Sequence, residues 1–300
     1  MEIQKQILLF FSGIHNGFLN SLVQVFTLFG EEFLLIAISV FIYWNISKKN
    51  GFVICMSLLN SLCVMGIAKA IVRFPRPWTV IDNLETVRQH TATGYSFPSG
   101  HTTSAASTFG AIAVSFRKRK LSIICAVIIL LVGLSRLYLC VHWPMDVVGG
   151  LLIGCGITLI LGNVFAALYD DKEKSVRVTA IIGCIMALAS IVISVILLLG
   201  KGDALALDDL NVTFATYGGL ASGFAIERRV NDFETGDFGW GKKVLRYVIG
   251  MAVVGVILFG AKALFSAIGI YNPLTRAIRY FLVGMWGCTY PIFGKKLGLF

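Results

Sequence analysis

Residues 143–169, WPMDVVGGLLIGCGITLILGNVFAALY, decide the fold of this chain. The run is mostly apolar with Asp146, near its start, as its one charged residue, and it exceeds the roughly 20 residues with which an α-helix crosses a bilayer. Soluble domains seldom contain an apolar stretch of this length. The run therefore predicts a membrane-spanning helix that carries one carboxylate close to its first turn.

The whole chain has the composition of a membrane protein. Its 300 residues are 57% hydrophobic and 14% charged, and its mean hydropathy is +0.81. Eight further apolar segments approach the length of a spanning helix, at about residues 20–44, 51–73, 98–116, 121–139, 177–200, 211–227, 244–268 and 275–294. We predict an all-α, polytopic transmembrane helical bundle of nine spans, with a five-helix core and about four additional C-terminal helices.

The predicted spans divide the chain into three segments. Residues 1–19 are too short to span and mix polar with apolar side chains, which is typical of an interfacial N-terminal helix. Residues 20–169 form the predicted core. Residues 170–300 form C-terminal transmembrane helices of unknown role: they brace the core or make an oligomer contact, or Arg276 and Arg279 help to select a lipid headgroup.

The net charge of +10 is distributed as the positive-inside rule expects of a membrane protein, so no nucleic-acid partner is predicted. Sixteen of the 26 Lys and Arg residues fall on one predicted face: Lys48, Lys49, Arg117, Lys118, Arg119, Lys120, Lys172, Lys174, Arg177, Arg228, Arg229, Lys242, Lys243, Arg246, Lys295 and Lys296. We expect this face to be cytoplasmic. The protein is then predicted to lie among the lipids of a bacterial plasma membrane with the loop at residues 74–97 on the extracytoplasmic side.

Three stretches place ionisable groups at the extracytoplasmic ends of predicted helices: KAIVRFPRP at 69–77, FPSGH at 97–101 and SRLYLCVHWPMD at 135–146. Ionisable side chains at membrane depth are costly and usually functional. Lys69, Arg76 and Arg136 are three cations without three neighbouring carboxylates, which indicates an anionic ligand. Cations combined with a serine and free backbone N–H groups favour a phosphate site.

The second and third stretches offer the other elements of such a site. Pro98 and Pro144 are each predicted at the first position of a helix, so that each opening turn has free N–H groups. Ser99, Gly100 and His101 would then form a cradle for an oxyanion at the positive end of a helix.

A second histidine follows in the third stretch. His142 and Asp146 are four residues apart, a spacing that brings both side chains to one helix face. The carboxylate would fix the tautomer of the ring and leave the other nitrogen as a nucleophile, with His101 as a proton donor to the leaving group. These residues alone do not decide which histidine attacks.

Together the three stretches resemble the type 2 phosphatidic acid phosphatases, also called lipid phosphate phosphatases. The family pattern is Lys, six residues, Arg-Pro, then Pro-Ser-Gly-His, then Ser-Arg, five residues, His, three residues, Asp. Every specified position is present with the same spacing. The resemblance covers roughly residues 20–169.

The resemblance implies a role for each site residue. His142 attacks phosphorus, Asp146 orients it and His101 protonates the leaving group. The phosphate-binding residues are Lys69, Arg76, Ser99, Gly100 and Arg136. Water then hydrolyses the phosphohistidine, and no metal or other cofactor takes part.

The resemblance also implies a lipid phosphate or pyrophosphate substrate. Phosphatidic acid, diacylglycerol pyrophosphate, phosphatidylglycerophosphate and undecaprenyl pyrophosphate all qualify, and an extracytoplasmic site mildly favours the polyprenyl pyrophosphate.

Three other interpretations of the same residues compete with a lipid phosphatase. A non-hydrolytic phospholipid or polyprenyl-phosphate transporter or flippase would use the same cationic pocket, although binding alone needs no His-His-Asp set. His101, His142 and Asp146 are a possible metal-ligand set, although three nearby cations would repel a divalent ion. A vanadate-dependent haloperoxidase would use the same cradle, but such enzymes are typically soluble.

Overall fold

The computed structural model describes residues 1–300, apart from the side chain of His90. The described chain is helical, which confirms the predicted all-α class. Its twelve α-helices are α1 Glu2–Gly13, α2 Gly17–Leu28, α3 Glu32–Asn45, α4 Lys48–Val72, α5 Gly100–Phe116, α6 Arg119–Tyr138, α7 Pro144–Asp170, α8 Lys172–Leu198, α9 Ala204–Val230, α10 Trp240–Gly255, α11 Ala261–Ala267 and α12 Pro273–Lys296.

Five segments of the described chain are long and apolar enough to cross a membrane, or six if the bent pair of α2 and α3 forms one span. The prediction of nine spans is not reached by this criterion. One reason is that α5 has only 17 residues. Another is that α9 and α12 contain many Gly, Thr and Tyr residues among their apolar ones, which makes both helices less apolar than the other spans.

The predicted first span, residues 20–44, is not one continuous helix. Instead α2 and α3 meet at a break with a bend of 43°. A pair of carboxylates, Glu31 and Glu32, follows Gly30 at this point, and charged side chains are costly in the middle of an apolar helix. The break therefore lies where the sequence is least suited to a continuous span.

The chain forms two compact units, the first of which contains all the predicted site residues. This unit comprises Met1–Ser39 and Val53–Val164. In it α7 packs closely against the start of α5: a Cβ on Gly150 would lie 2.8 Å from the carbonyl oxygen of Ser99, and one on Gly154 would lie 2.6 Å from that of Thr103. Two glycines of the 143–169 run thus allow the two helix backbones to approach each other.

Pro144 and Pro98 differ in where they lie relative to the helix that follows each of them. Pro144 is the first residue of α7, as predicted. Pro98, however, precedes the helix: α5 begins at Gly100 with Ser99 as its N-cap, so the prediction of Pro98 as a first helical residue is wrong. The N–H of Ser99 donates a 2.9 Å hydrogen bond to the carbonyl oxygen of Asp146, and this bond holds Ser99 at the end of the loop ahead of α5.

The second unit comprises Val40–Phe52 and Phe165–Phe300. A group of ion pairs ties its polar end together, with Lys48 Nζ 2.7 Å from Glu227 and 2.9 Å from Asp232. Lys172 pairs with the other oxygen of Asp232 at 2.8 Å. Burial acts to raise the pKa of Asp232, but the hydrogen bonds from the two lysines outweigh it and lower that pKa. These contacts join three segments that are distant in sequence.

Candidate active site

The carboxylate of Asp146 is the centre of a hydrogen-bonded group at the start of α7. Its Oδ2 lies 3.2 Å from Nδ1 of His142 and accepts a 2.8 Å bond from the Trp143 N–H. Ser96 donates a further 2.5 Å bond to the same oxygen. All these contacts involve buried groups. The predicted pairing of His142 with Asp146 is therefore present, with Nδ1 as the nitrogen that faces the carboxylate.

The second ring nitrogen of His142 faces a cation. Nη1 of Arg76 lies 3.0 Å from Nε2 of His142 and 3.4 Å from Nδ1, and it donates to the carbonyl oxygen of Val141 at 3.0 Å. Other nitrogens of the same guanidinium bond to the carbonyl oxygens of Gly94 and Thr93. The loop after α4 therefore holds Arg76 next to Nε2, the ring nitrogen of His142 that does not face Asp146.

The first turn of α5 lies next to this pair. The Ser99 N–H bonds to the main chain of Asp146, and the first intrahelical bond runs from the Thr103 N–H to the Ser99 carbonyl oxygen at 3.0 Å. The N–H groups of Gly100 and His101 precede that bond, as the opening groups of a helix do. A Cβ on Gly100 would meet only the end of Met65, at 3.8 Å, so Gly100 faces an open space.

Arg136 is fully buried near the end of α6. Its Nη1 donates a 2.6 Å hydrogen bond to Thr27. Within the described part of the chain, its Nε and Nη2 have no hydrogen-bond partner. Buried charged groups are normally paired, so these two donors suit an anionic ligand.

Lys69 completes the predicted set of cations. It is 8% exposed, and its Nζ donates to the carbonyl oxygen of Tyr95 at 3.1 Å. Its charge acts on both His142 and Asp146. The fold thus gathers the side chains that the sequence analysis selected from three separate stretches.

The surroundings of His142 favour a neutral ring. Burial lowers its pKa well below the ordinary value of 6.5, and the positive charges of Arg76, Arg136 and Lys69 lower it further. A neutral imidazole whose Nδ1 faces a carboxylate carries its lone pair on Nε2. The nitrogen beside Arg76 is therefore the one suited to attack an electrophile.

Sequence reasoning missed several residues that contact the set. Glu31 lies in the break between α2 and α3, with Oε1 3.5 Å from Nε2 of His101 and 2.8 Å from Nη2 of Arg88. Thr27 and Ser96 contact Arg136 and Asp146, as described above. Glu31 could have been selected from the sequence, because it is one of two carboxylates inside the apolar residues 20–44. No sequence pattern distinguishes Thr27 or Ser96.

Arg276 and Arg279 are the two arginines that the sequence suggests for headgroup selection. In the second unit Arg276 pairs with Asp208, and Arg279 donates to the carbonyl oxygen of Leu258 at 2.6 Å. Both guanidinium groups thus have partners within their own unit, which makes them less suited to bind a phosphate.

The helices and the clustered residues define a class of protein: a polytopic all-α membrane protein with a buried, cation-rich His-Asp site. Comparison with known proteins gives the family. A model of the PAP2 superfamily matches residues 50–170, and a model described as the transmembrane extension of PAP2 superfamily phosphatases matches residues 211–300.

The chain is also similar to individual proteins. Undecaprenyl-diphosphatase BcrC of Bacillus subtilis is 30% identical over 158 residues, which cover 52% of this chain and 78% of the relative. An undecaprenyl-diphosphatase of Sulfolobus acidocaldarius is 28% identical over 144 residues, covering 47% and 68%. A crystal structure of a transmembrane PAP2-type phosphatidylglycerolphosphate phosphatase from Bacillus subtilis has 25% identity and a TM-score of 0.48, covering 54% of this chain and 84% of that one.

The chain belongs to the PAP2 superfamily of membrane lipid phosphate and pyrophosphate phosphatases. It is an integral membrane protein and a lipid phosphatase. The family resemblance that the three sequence stretches indicated is confirmed.

Proposed function

We propose that this protein hydrolyses a lipid phosphate or pyrophosphate through a phosphohistidine on His142, without a metal. Asp146 holds the ring of His142 and stabilises the positive charge that develops on it. His101 is the general acid. Lys69, Arg76, Ser99, Gly100 and Arg136 bind the phosphate oxygens.

The reaction proceeds in two displacements at phosphorus. Nε2 of His142 forms a bond to phosphorus while the bond from phosphorus to the lipid oxygen breaks, and His101 gives its proton to the departing oxygen. Water then attacks the phosphohistidine, His101 takes a proton from that water, and the bond from phosphorus to Nε2 breaks. Inorganic phosphate leaves, and both histidines return to their starting protonation states.

One observation carries this proposal: the His142 ring lies between a carboxylate, which contacts Nδ1, and a guanidinium, which is nearer to Nε2 than to Nδ1. Asp146 lies 3.2 Å from Nδ1, and Arg76 lies 3.0 Å from Nε2. A phosphate that bridges Arg76 and the unpaired nitrogens of Arg136 would bring phosphorus close to Nε2. Such placement of charge around a developing transition state is a major source of catalytic rate.

We further propose that the site opens to the extracytoplasmic side of a bacterial plasma membrane. The distribution of Lys and Arg supports this orientation. A substrate whose chains remain in the bilayer while its phosphate reaches the cradle fits the position of the site at the ends of α5, α6 and α7. Two of the similar proteins are named undecaprenyl-diphosphatases, which makes a polyprenyl pyrophosphate the first substrate to test.

The test is phosphate release from a short-chain phosphatidic acid and from a short polyprenyl pyrophosphate, in detergent with EDTA present. We expect release by the unaltered protein and its loss in His142→Ala. His15→Ala is the matched control, because His15 is another histidine of the first unit and its Nε2 contacts only the backbone oxygen of Tyr138, at 2.6 Å. Normal release by His142→Ala would disprove the assignment of the nucleophile.

Two further measurements separate hydrolysis from transport. Labelled phosphate should be trapped on the protein in a bond that is stable to base and labile to acid, as a phosphoramidate is. Orthovanadate should inhibit, because vanadate that binds the attacking nitrogen becomes five-coordinate and then resembles the transition state. Tight substrate binding without any phosphate release would favour the carrier function instead.

A further inference from the structure

The break between α2 and α3 contacts His101 directly. A Cβ on Gly30 would lie 2.8 Å from the Cβ of His101 and 3.0 Å from its carbonyl oxygen. The next residue, Glu31, turns its carboxylate to the ring, with Oε1 3.5 Å from Nε2. Only a residue without a side chain at position 30 allows this approach.

A loop residue binds the same carboxylate from another side. Nη2 of Arg88 lies 2.8 Å from Oε1 of Glu31, and the side chain of Arg88 is 17% exposed. The ion pair restricts the carboxylate to one position. His101 Nε2 is buried and makes no geometrically good hydrogen bond within the described residues, which leaves Glu31 as the acceptor within reach.

The two histidines of the site are therefore arranged alike. His142 directs Nδ1 at Asp146, and His101 directs Nε2 at Glu31. In each case a carboxylate lies within 3.5 Å of one ring nitrogen. A carboxylate beside an imidazole fixes the orientation of the ring and stabilises its protonated form.

We propose that Glu31 is the positioning residue for His101, the group that protonates the departing lipid oxygen. This inference rests on the proposed function. Glu31 does not contact the reacting atoms. It holds the ring so that Nδ1 is presented to the leaving group, and its negative charge favours the imidazolium that donates the proton. Arg88 keeps the carboxylate in place.

The leaving group gives a test that a purely structural role would not pass. A lipid alkoxide needs a proton to depart, whereas p-nitrophenolate departs without one at neutral pH. Loss of general-acid catalysis typically costs about 100-fold or more. For Glu31→Gln we expect a loss of about 100-fold in kcat with a short-chain phosphatidic acid, and less than about threefold with p-nitrophenyl phosphate.

Two variants serve as comparisons. Glu31→Asp keeps the charge but draws the carboxylate back from the ring, so its loss should be intermediate and should show the same dependence on the leaving group. If Glu31→Gln does not fold, as judged by size-exclusion chromatography in detergent, Glu31→Asp carries the test. Glu85→Gln removes a carboxylate from the exposed part of the loop that carries Arg88, and should leave both rates unchanged.

A double-mutant cycle adds a second readout. In a His101→Ala background the further change Glu31→Gln should reduce kcat by less than about twofold, because a positioning residue has no effect without the group it positions. Equal losses with both substrates, or additive losses in the cycle, would overturn the inference. Absence of phosphate release by the unaltered protein would instead overturn the proposed function, since His142→Ala and the unaltered protein are assayed in parallel.

Discussion

The hydroxyl of Ser96 donates a 2.5 Å hydrogen bond to Oδ2 of Asp146, the same oxygen that faces Nδ1 of His142. Ser96 lies in the loop ahead of α5, whereas Asp146 lies in the first turn of α7. The bond therefore fixes the carboxylate from outside its own helix. The orientation of His142 depends on a residue that no part of the recognised pattern contains.

Replacement of Ser96 by Ala should lower kcat about tenfold. A hydrogen bond to a charged group is worth about 1.5–3 kcal/mol, and a tenfold change in rate corresponds to about 1.4 kcal/mol. The measurement is phosphate release from a short-chain phosphatidic acid. Ser39→Ala is the matched control, because Ser39 is also buried but its hydroxyl donates to the carbonyl oxygen of Leu35 in its own helix, at 2.7 Å. Equal rates for the two variants would contradict the expectation.

Asp146→Asn should be less damaging than His142→Ala. The amide oxygen can still accept the bond from the Trp143 N–H and hold the ring, although the stabilising negative charge is lost. His142→Ala removes altogether the nitrogen that we propose attacks phosphorus. Single-turnover rates measured with labelled substrate compare the two variants. Equal losses in the two variants would contradict this expectation and would show that the ring needs the negative charge of Asp146, not merely an acceptor that holds it.

Gly100→Ala should preserve the fold but weaken the cradle. The new methyl group would meet only Met65, at 3.8 Å, and would stand in front of the first N–H groups of α5. Small displacements of a bound substrate can cost about 100-fold, so we expect kcat/KM to fall roughly 10- to 100-fold. The thermal unfolding midpoint should not fall. Unchanged kinetics would show that phosphate does not approach Gly100.

Gly150→Ala should reduce stability as well as activity. Its Cβ would lie 2.8 Å from the Ser99 carbonyl oxygen, so α5 and α7 must separate. Overpacking of this kind costs about 1–3 kcal/mol. Thermal unfolding in detergent gives the first readout and kcat the second. Gly156→Ala is the control for both glycine variants. Gly156 lies on α7, as Gly150 does, and a Cβ at this position would have nothing within 4 Å.

Lys69→Met should move the acid limb of the pH profile of kcat/KM toward higher pH. Burial and the charges of Arg76, Arg136 and Lys69 lower the pKa of His142, so removal of one cation raises that pKa and the ring is protonated at higher pH. The measurement is kcat/KM against pH with one substrate for both proteins, so that ionisation of the substrate cancels. Lys201→Met, in the second unit, is the control. A shift to lower pH would contradict the expected charge effect.

The sequence predicts the parts of this site that depend on local geometry. His142 and Asp146 meet because residues four apart share a helix face, and Arg76 is present in the recognised pattern. Glu31 was not predicted, because its contact with His101 requires a bend in a segment that composition treats as one span. Ser96 was not predicted either, since an irregular loop has no periodicity from which to place a single hydroxyl.

The 2.9 Å bond from the Ser99 N–H to the Asp146 carbonyl oxygen joins the proposed phosphate cradle to the residue that supports His142, by main-chain atoms alone. A change of side chain at either position leaves this link intact. We therefore expect that side chains which meet the lipid can be exchanged while the spacing between the proposed cradle and His142 stays constant. Divergence toward new substrates is then easiest at the periphery, in the loops and helix ends that receive the rest of the lipid.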